Sequence, residues 1–273
     1  MTTPTALTIA GTDPSGGAGI QADLKAFAAL GVHGASAITA LVAQNTQGVR
    51  AIHDVPADFI RAEIDAVFDD LSVDAVKIGM LSKPVVIETV GAALDAHGAR
   101  TVVLDPVMVA ASGDPLLDED AVVGVRDVLL PRALVITPNL PEAAKLLDTG
   151  EAATTEEMEA QARRLLEFGP RAVLLKGGHG SGADSADVLV TRDGSAARWF
   201  VAPRIDTKNT HGTGCTLSSA IAAGLAKGLA LPDAVEAAKA YLTAALKQAD
   251  SLAIGKGRGP VHHFHAFWQG GST

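Results

Sequence analysis

The stretch "THGTGCTLSSA", Thr210 to Ala220, holds the chain's single cysteine. Gly212 and Gly214 permit a tight turn, and the residues that follow repeat at helical spacing. A turn of this kind exposes successive backbone N–H groups at a helix start, with the helix dipole behind them. Such a nest binds phosphate or stabilises charge on a phosphoryl group in transfer. Gly212, Thr213 and Gly214 are therefore candidates for an anion hole, against the plainer reading of a structural glycine loop. Cys215 falls in the first helical turn, where the dipole is expected to lower a thiol's pKa. Its thiol could pack, attack covalently with His211 as base, or assist another molecule's reaction.

Further polar residues stand just past apolar runs. Asp105 ends "VVLDP" and could hold Mg²⁺ or orient phosphates through water, or simply cap the next turn. In "TPNLPEAAKLL", Asn139 and Glu142 lie three apart at a strand-to-helix junction. They read equally as a capping box or as ligands to metal-bound water. Lys176 in "LLKGGH" and Lys208 in "DTKNTHGTGC" are cations suited to a triphosphate, or solvated side chains. Gln44, past "ALVA", carries an acceptor and a two-hydrogen donor side by side, which matches the edge of an aminopyrimidine. Asp23 follows the Gly-rich turn "GTDPSGGAG". His262, His263 and His265 in "GPVHHFHAF" have weak metal-ligand spacing and no acidic or Cys partner placed by sequence.

The elements that must position these groups alternate. Candidate strands cover 6–11, 35–43, 74–79, 100–106, 133–139, 171–178, 186–191 and 197–203. Several are continuous Val/Ile/Leu runs, as in strands buried on both faces. Helical patterns cover 58–70, 84–98, 155–168, 213–229 and 232–251. The alternation predicts an α/β fold, a mostly parallel sheet with helices on both faces. "RDGS" between 191 and 196 is a hairpin signal, so a small antiparallel piece is expected at one edge. Neither a linker nor a repeat interrupts residues 1–273, which read as one domain. Ligands of such sheets bind beyond the carboxyl ends of the strands. That is where the polar, Gly-rich segments fall.

Composition narrows the classes. The net charge is −9 with 48% hydrophobic residues. An acidic surface argues against nucleic-acid or anionic-membrane binding, and an anionic substrate needs a locally positive pocket. One cysteine excludes an intrachain disulfide and a Cys-based zinc cluster, and fits a reducing cytoplasm. No signal peptide and no membrane span are expected.

Together the segments "TIAGTDPSGGAGIQADLKAFAALGVHG", "ITALVAQNTQGV", "KIGML", "VVLDPVMVAASGDPLL", "ITPNLPEA", "LLKGGH" and "DTKNTHGTGCTLSSAIAAGLAKG" resemble the ribokinase-like superfamily. Within it they resemble most the hydroxymethylpyrimidine/phosphomethylpyrimidine kinases of thiamine biosynthesis. The resemblance implies a three-layer sandwich that transfers phosphate from ATP, with Mg²⁺, to the pyrimidine and then to its monophosphate. It implies Gln44 as reader of the pyrimidine edge, with Asp23 and the Gly11 backbone as further contacts. Met80 and Val107 become apolar walls, and Gly212 to Gly214 the anion hole. Asp105, Asn139 and Glu142 become the Mg²⁺–phosphate support, with Asp105 and Glu142 acting through water, and Lys176 a phosphate contact. Residues 106–120 become a flap over the site, and the branch suggests a homodimer. The superfamily usually ends its anion turn in aspartate, the catalytic base; cysteine replaces it in this branch and in related pyridoxal kinases. Pyridoxal kinase activity is thus the alternative. A thiol-nucleophile enzyme and a non-catalytic pyrimidine-binding protein are more distant ones.

Overall fold

Short apolar runs build the centre of the molecule. In the computed structural model, which describes residues 2–108, 119–178 and 184–268, they give ten strands among the described residues. In chain order these are β1 (Thr5–Ala10), β2 (His33–Ile38), β3 (Ala40–Asn45), β4 (Gly48–Asp54), β5 (Ala75–Ile78), β6 (Val102–Leu104), β7 (Val135–Ile136), β8 (Ala172–Lys176), β9 (Asp184–Thr191) and β10 (Arg198–Pro203). Eight form one sheet in the order β10-β9-β8-β7-β6-β5-β1-β2. All neighbours from β2 to β8 pair in parallel; β9 alone runs against the rest. The antiparallel edge expected from "RDGS" is therefore present.

Helices cover both faces. One layer contains α1 (Gly19–Ala29), and later in the chain α7 (Thr213–Ala226) and α8 (Leu231–Lys247) join it. The other contains α2 (Ala57–Asp70), α3 (Pro84–Ala96), α4 (Glu119–Gly124), α5 (Leu140–Leu147) and α6 (Thr155–Leu166). Consecutive strand residues alternate between the layers. Val103 packs with Phe27, Leu217 and Ile221 under α1 and α7. Leu104 packs with Ile60, Val90 and Leu146 under the opposite helices. Each fully buried side chain of this size contributes about 1.5–3 kcal/mol, so the sheet is fixed from both sides.

One sequence expectation is corrected. The run 35–43 is not a single strand. It breaks at Thr39, which is fully buried. The Thr39 N–H donates to the Ala10 carbonyl at 3.0 Å and its hydroxyl to the Met80 carbonyl at 2.9 Å. The chain leaves the main sheet there, and β3 pairs with β4 in a separate antiparallel ribbon. Nothing in the apolar run marks an exit, because both halves favour extended backbone. β4 escaped notice because its sequence, "GVRAIHD", is largely exposed.

Candidate active site

The carboxyl ends of β1, β5, β6 and β8 and the start of α7 enclose a cavity of about 810 Å³. Of the predicted site residues, Gly11, Gln44, Met80, Val107, Asp105, Asn139, Glu142, Lys176, Gly212, Thr213, Gly214 and Cys215 all line it. Residues separated by up to two hundred positions thus meet because the strands deliver them to one edge.

One end of the cavity is apolar. Val42 and Met80 form a small cluster with Ala40, against which Val49 and Val107 pack. Gly11 lies under it: a Cβ there would stand 3.4 Å from Met80 Cε and 3.5 Å from the Ala40 carbonyl. A flat ring can approach the backbone at this point. Gln44 follows Val42 by two along β3, beyond a register shift between Ala43 and Gln44. Its Nε2 lies 3.4 Å from His211 Nε2.

The centre is the glycine turn. Gly212 caps α7 at φ +79°, and a Cβ there would lie 1.8 Å from the Gly17 carbonyl oxygen. Only glycine fits that conformation and that contact. Gly214 faces a buried ion pair, its missing Cβ 3.4 Å from both Asp105 Oδ2 and Lys176 Nζ. Lys176 Nζ donates to Asp105 Oδ1 at 3.0 Å, and Thr137 Oγ1 donates to the same oxygen at 2.9 Å. Ser218, one turn into α7, donates to Asp105 Oδ2 at 3.3 Å. Burial opposes ionisation of Asp105, but Lys176 and Lys77 outweigh it and hold the carboxyl below its ordinary range. Burial also opposes the charge of Lys176, and Asp105 and Glu142 outweigh it upward.

Asn139 and Glu142 form a true capping box on α5. Glu142 N–H donates to Asn139 Oδ1 and Asn139 N–H to Glu142 Oε2, each at 2.8 Å. Both residues also line the cavity, so the capping box does not remove them from its wall. Burial pushes the Glu142 carboxyl up to about 7, with Lys176 opposing and Asp105 reinforcing.

Cys215 departs from its expected electrostatics. It occupies the first turn of α7, but burial pushes the thiol up to about 11. Lys77 pulls it down; Asp23 and Asp105 push it further up. The dipole expected to acidify the thiol is outweighed by desolvation. His211 does not serve as its base either. His211 Nε2 bonds Asp13 Oδ2 at 2.7 Å, and no hydrogen bond joins it to Cys215 among the described residues. The thiol-nucleophile alternative loses its second member.

Two further expectations are corrected. Asp23 does not reach the cavity. It is fully buried beneath it, bonded to Lys77 Nζ at 2.9 Å, Thr8 Oγ1 at 2.6 Å and Ser219 Oγ at 2.6 Å. Its acceptors are committed inside the protein. Lys208 is exposed and is not part of the cavity wall; its neighbour Asn209 turns inward instead, to Asp250 and the Ala249 carbonyl. Most of the expected flap, 106–120, lies outside the described residues. The C-terminal histidines do not converge. His263 bonds Thr216, His262 packs edge-on to Trp268, and His265 bonds the His262 carbonyl. Among the described residues no group of three or more His, Cys, Asp or Glu could hold a metal.

Sequence reasoning missed other wall residues. Lys77 is a lone cation inside the apolar run "DAVKIG", a signal that was visible. Asp13 accepts from Ser15, Gly17 and Ala18 N–H groups as well as His211, and is held down at about 2, those bonds outweighing its burial. It shapes the first glycine loop against the second. Asp187 and Lys239 pair at the far end of the cavity, beside Leu242 and Leu246.

Solved structures share this architecture. A pyridoxal kinase from Bacillus subtilis, in complex with ADP, superposes with a TM-score of 0.90 at 37% identity, covering 98% of this chain and 100% of the other. A phosphomethylpyrimidine kinase from Clostridium difficile gives 0.77 at 42% identity, covering 88% and 97%. These likenesses place the chain, a three-layer α/β sandwich whose glycine turn faces a buried acid–lysine pair, among the small-molecule kinases of ribokinase-like fold. The hydroxymethylpyrimidine/phosphomethylpyrimidine kinase of Salmonella typhimurium is 58% identical over 263 residues, spanning 96% of this chain and 98% of its own. The phosphomethylpyrimidine kinase family model matches residues 13–262, and the chain belongs to that family.

Proposed function

We propose that this kinase transfers the γ-phosphoryl group of ATP to the hydroxymethyl oxygen of 4-amino-5-hydroxymethyl-2-methylpyrimidine, and then phosphorylates the monophosphate to the diphosphate, in thiamine biosynthesis. The observation that carries the acceptor is the apolar wall of Val42, Met80 and Val107 with the Gln44 amide at its margin. A planar aminopyrimidine fits against such a wall, and the amide pairs with its ring nitrogen and amino group. The hydroxymethyl arm would then point toward Cys215 and the anion turn.

Phosphoryl transfer needs positioning and charge neutralisation more than covalent chemistry. The acceptor oxygen attacks the γ-phosphorus as the bond to ADP breaks; ADP keeps the bonding electrons, and the hydroxyl proton passes to an oxygen of the transferred phosphoryl group and from there to water. The N–H groups of the Gly212–Gly214 turn receive charge on the equatorial oxygens, and Lys176 adds a fixed positive charge. A protonated Cys215 thiol holds the acceptor hydroxyl in line rather than removing its proton. The all-oxygen donor set of Asp105, Glu142 and Asn139 fits a hard divalent cation held through water. Asp105 and Glu142 would hold Mg²⁺, whose charge would neutralise the phosphates of ATP.

The chain's membership of this branch of kinases is what supports a homodimer. The single thiol and the use of ATP support a cytoplasmic setting. No helix among the described residues is long and apolar enough to cross a membrane. An ADP-release assay with Mg-ATP tests the reading. Release should depend on the pyrimidine alcohol and, separately, on its monophosphate. ATP turnover independent of both would overturn it.

A further inference from the structure

Two ion pairs are seated beneath the anion turn, and only one of them has a role so far. Asp105–Lys176 faces Gly214 and is hooked to α7 by Ser218. Lys77–Asp23 is hooked to α7 by Ser219, whose hydroxyl donates to Asp23 Oδ1 at 2.6 Å. Gly214 and Ser218 are four apart, and so are Cys215 and Ser219. Residues four apart share one helix face, one above the other. The second pair therefore lies one turn below the cysteine, as the first lies one turn below the glycine.

The Lys77–Asp23 pair is fully buried at both ends. Lys77 Nζ reaches both Asp23 oxygens at 2.9 Å, and Thr8 Oγ1 donates to Oδ2 at 2.6 Å. Glycine at 79 leaves room for the ammonium group: a Cβ there would stand 2.8 Å from Nζ. A buried pair of this kind gains little stability over an apolar pair of similar volume. Packing alone gives weak reason to spend a lysine and an aspartate in a sheet core. Lys77 borders the cavity without being open to it, and Asp23 lies behind it.

We propose that Lys77, held by Asp23, is a positioning residue of the phosphoryl-transfer site, setting a positive charge beneath Cys215 that stabilises negative charge developing on the acceptor oxygen the thiol holds, a field that the titration of the thiol itself reports. The groups whose charge or N–H acts on the sulfur come from several elements. Lys77 comes from β5, Asp23 and the Gly19 N–H from α1, Asp105 from the end of β6, and Lys176 from the end of β8. Lys77 and Asp23 act on it with opposite signs.

The inference rests on the kinase reading, but its first test needs no turnover. Cys215 is the only thiol, so iodoacetamide labelling reports on it alone. Lys77→Met should slow labelling about tenfold at a given pH, moving the rate profile to higher pH by about one unit. Asp23→Asn keeps the shape, its Oδ1 accepting from one of the Thr8 and Ser219 hydroxyls while the other turns to accept from Nδ2, and the lost negative charge should move the profile the other way. Lys77→Met should also lower kcat at least about tenfold while leaving the KM for ATP near wild type. Shifts of the same sign in both variants, or profiles unmoved in both, would overturn the proposal. Should Lys77→Met fail to fold, Asp23→Asn decides alone: an unchanged or upward-shifted profile would refute it.

Discussion

Cys215 is the residue whose role changed most between sequence and structure. A helix-start thiol suggested an acidic sulfur, yet burial among Asp23 and Asp105 pushes it up to about 11. Near neutral pH the ligand-free enzyme carries a thiol, which suits a group that orients an alcohol. Cys215→Ala should then cost about 100-fold in kcat, the scale of a misplaced reactant. Cys215→Ser, which still offers a hydrogen-bonding group, should cost less. Equal losses in steady-state kinetics would restore the base assignment. Gln44→Ala should raise the KM for the pyrimidine at least about tenfold, as expected for a lost, well-oriented polar contact in an enclosed site, with little change for ATP. An unchanged pyrimidine KM would remove Gln44 from the acceptor site. Glu142 supplies a pH handle. Its folded value, about 7, lies above its ordinary 4.5. Its stabilising contribution is therefore complete at low pH and is lost as pH rises through 7. Glu142→Gln should flatten the dependence of the unfolding midpoint between about pH 5 and 8; a mutant that keeps the wild-type slope would show the carboxyl to be ionised throughout.

At the scale of elements, α7 organises the site. Its cap brings two glycine loops together, Gly212 against Gly17, and its first two turns carry the serines that hold both ion pairs. Gly212→Ala would force a methyl group into the Gly17 carbonyl at a left-handed φ. A non-glycine residue at such an angle costs about 1–3 kcal/mol before the clash is counted. A lower unfolding midpoint together with a collapse of kcat is expected, and a variant with full turnover would show the turn to be dispensable. The strand-and-helix alternation was legible because buried parallel strands are continuous apolar runs. The break at Thr39 was not, because it depends on hydrogen bonds to Ala10 and Met80 from other strands. Asp23 illustrates the same limit: its turn-and-helix setting was readable, but Lys77 lies 54 positions away, and it takes both the pairing of Lys77 with Thr8 across β1 and β5 and the packing of α1 on β1 to bring them together. Lys208 failed differently, since sequence proximity to the anion turn says nothing of which way a loop side chain points.

At the scale of the molecule, an acidic protein presents a cavity whose basic wall residues outnumber the acidic ones among the described residues. That local inversion is what an anionic nucleotide requires, and composition alone only forbade a broadly basic surface. The cavity, about 810 Å³, is lined by the apolar Val42–Met80 wall, the glycine turn and the Asp187–Lys239 pair. Pyridoxal and phosphomethylpyrimidine kinases share this frame, so the fold alone does not decide the acceptor. The most direct test offers both acceptors at equal concentration with Mg-ATP and resolves the products by mass. The pyrimidine monophosphate should appear first and its diphosphate after it, with pyridoxal phosphate a trace. Pyridoxal phosphate as the main product would contradict the assignment.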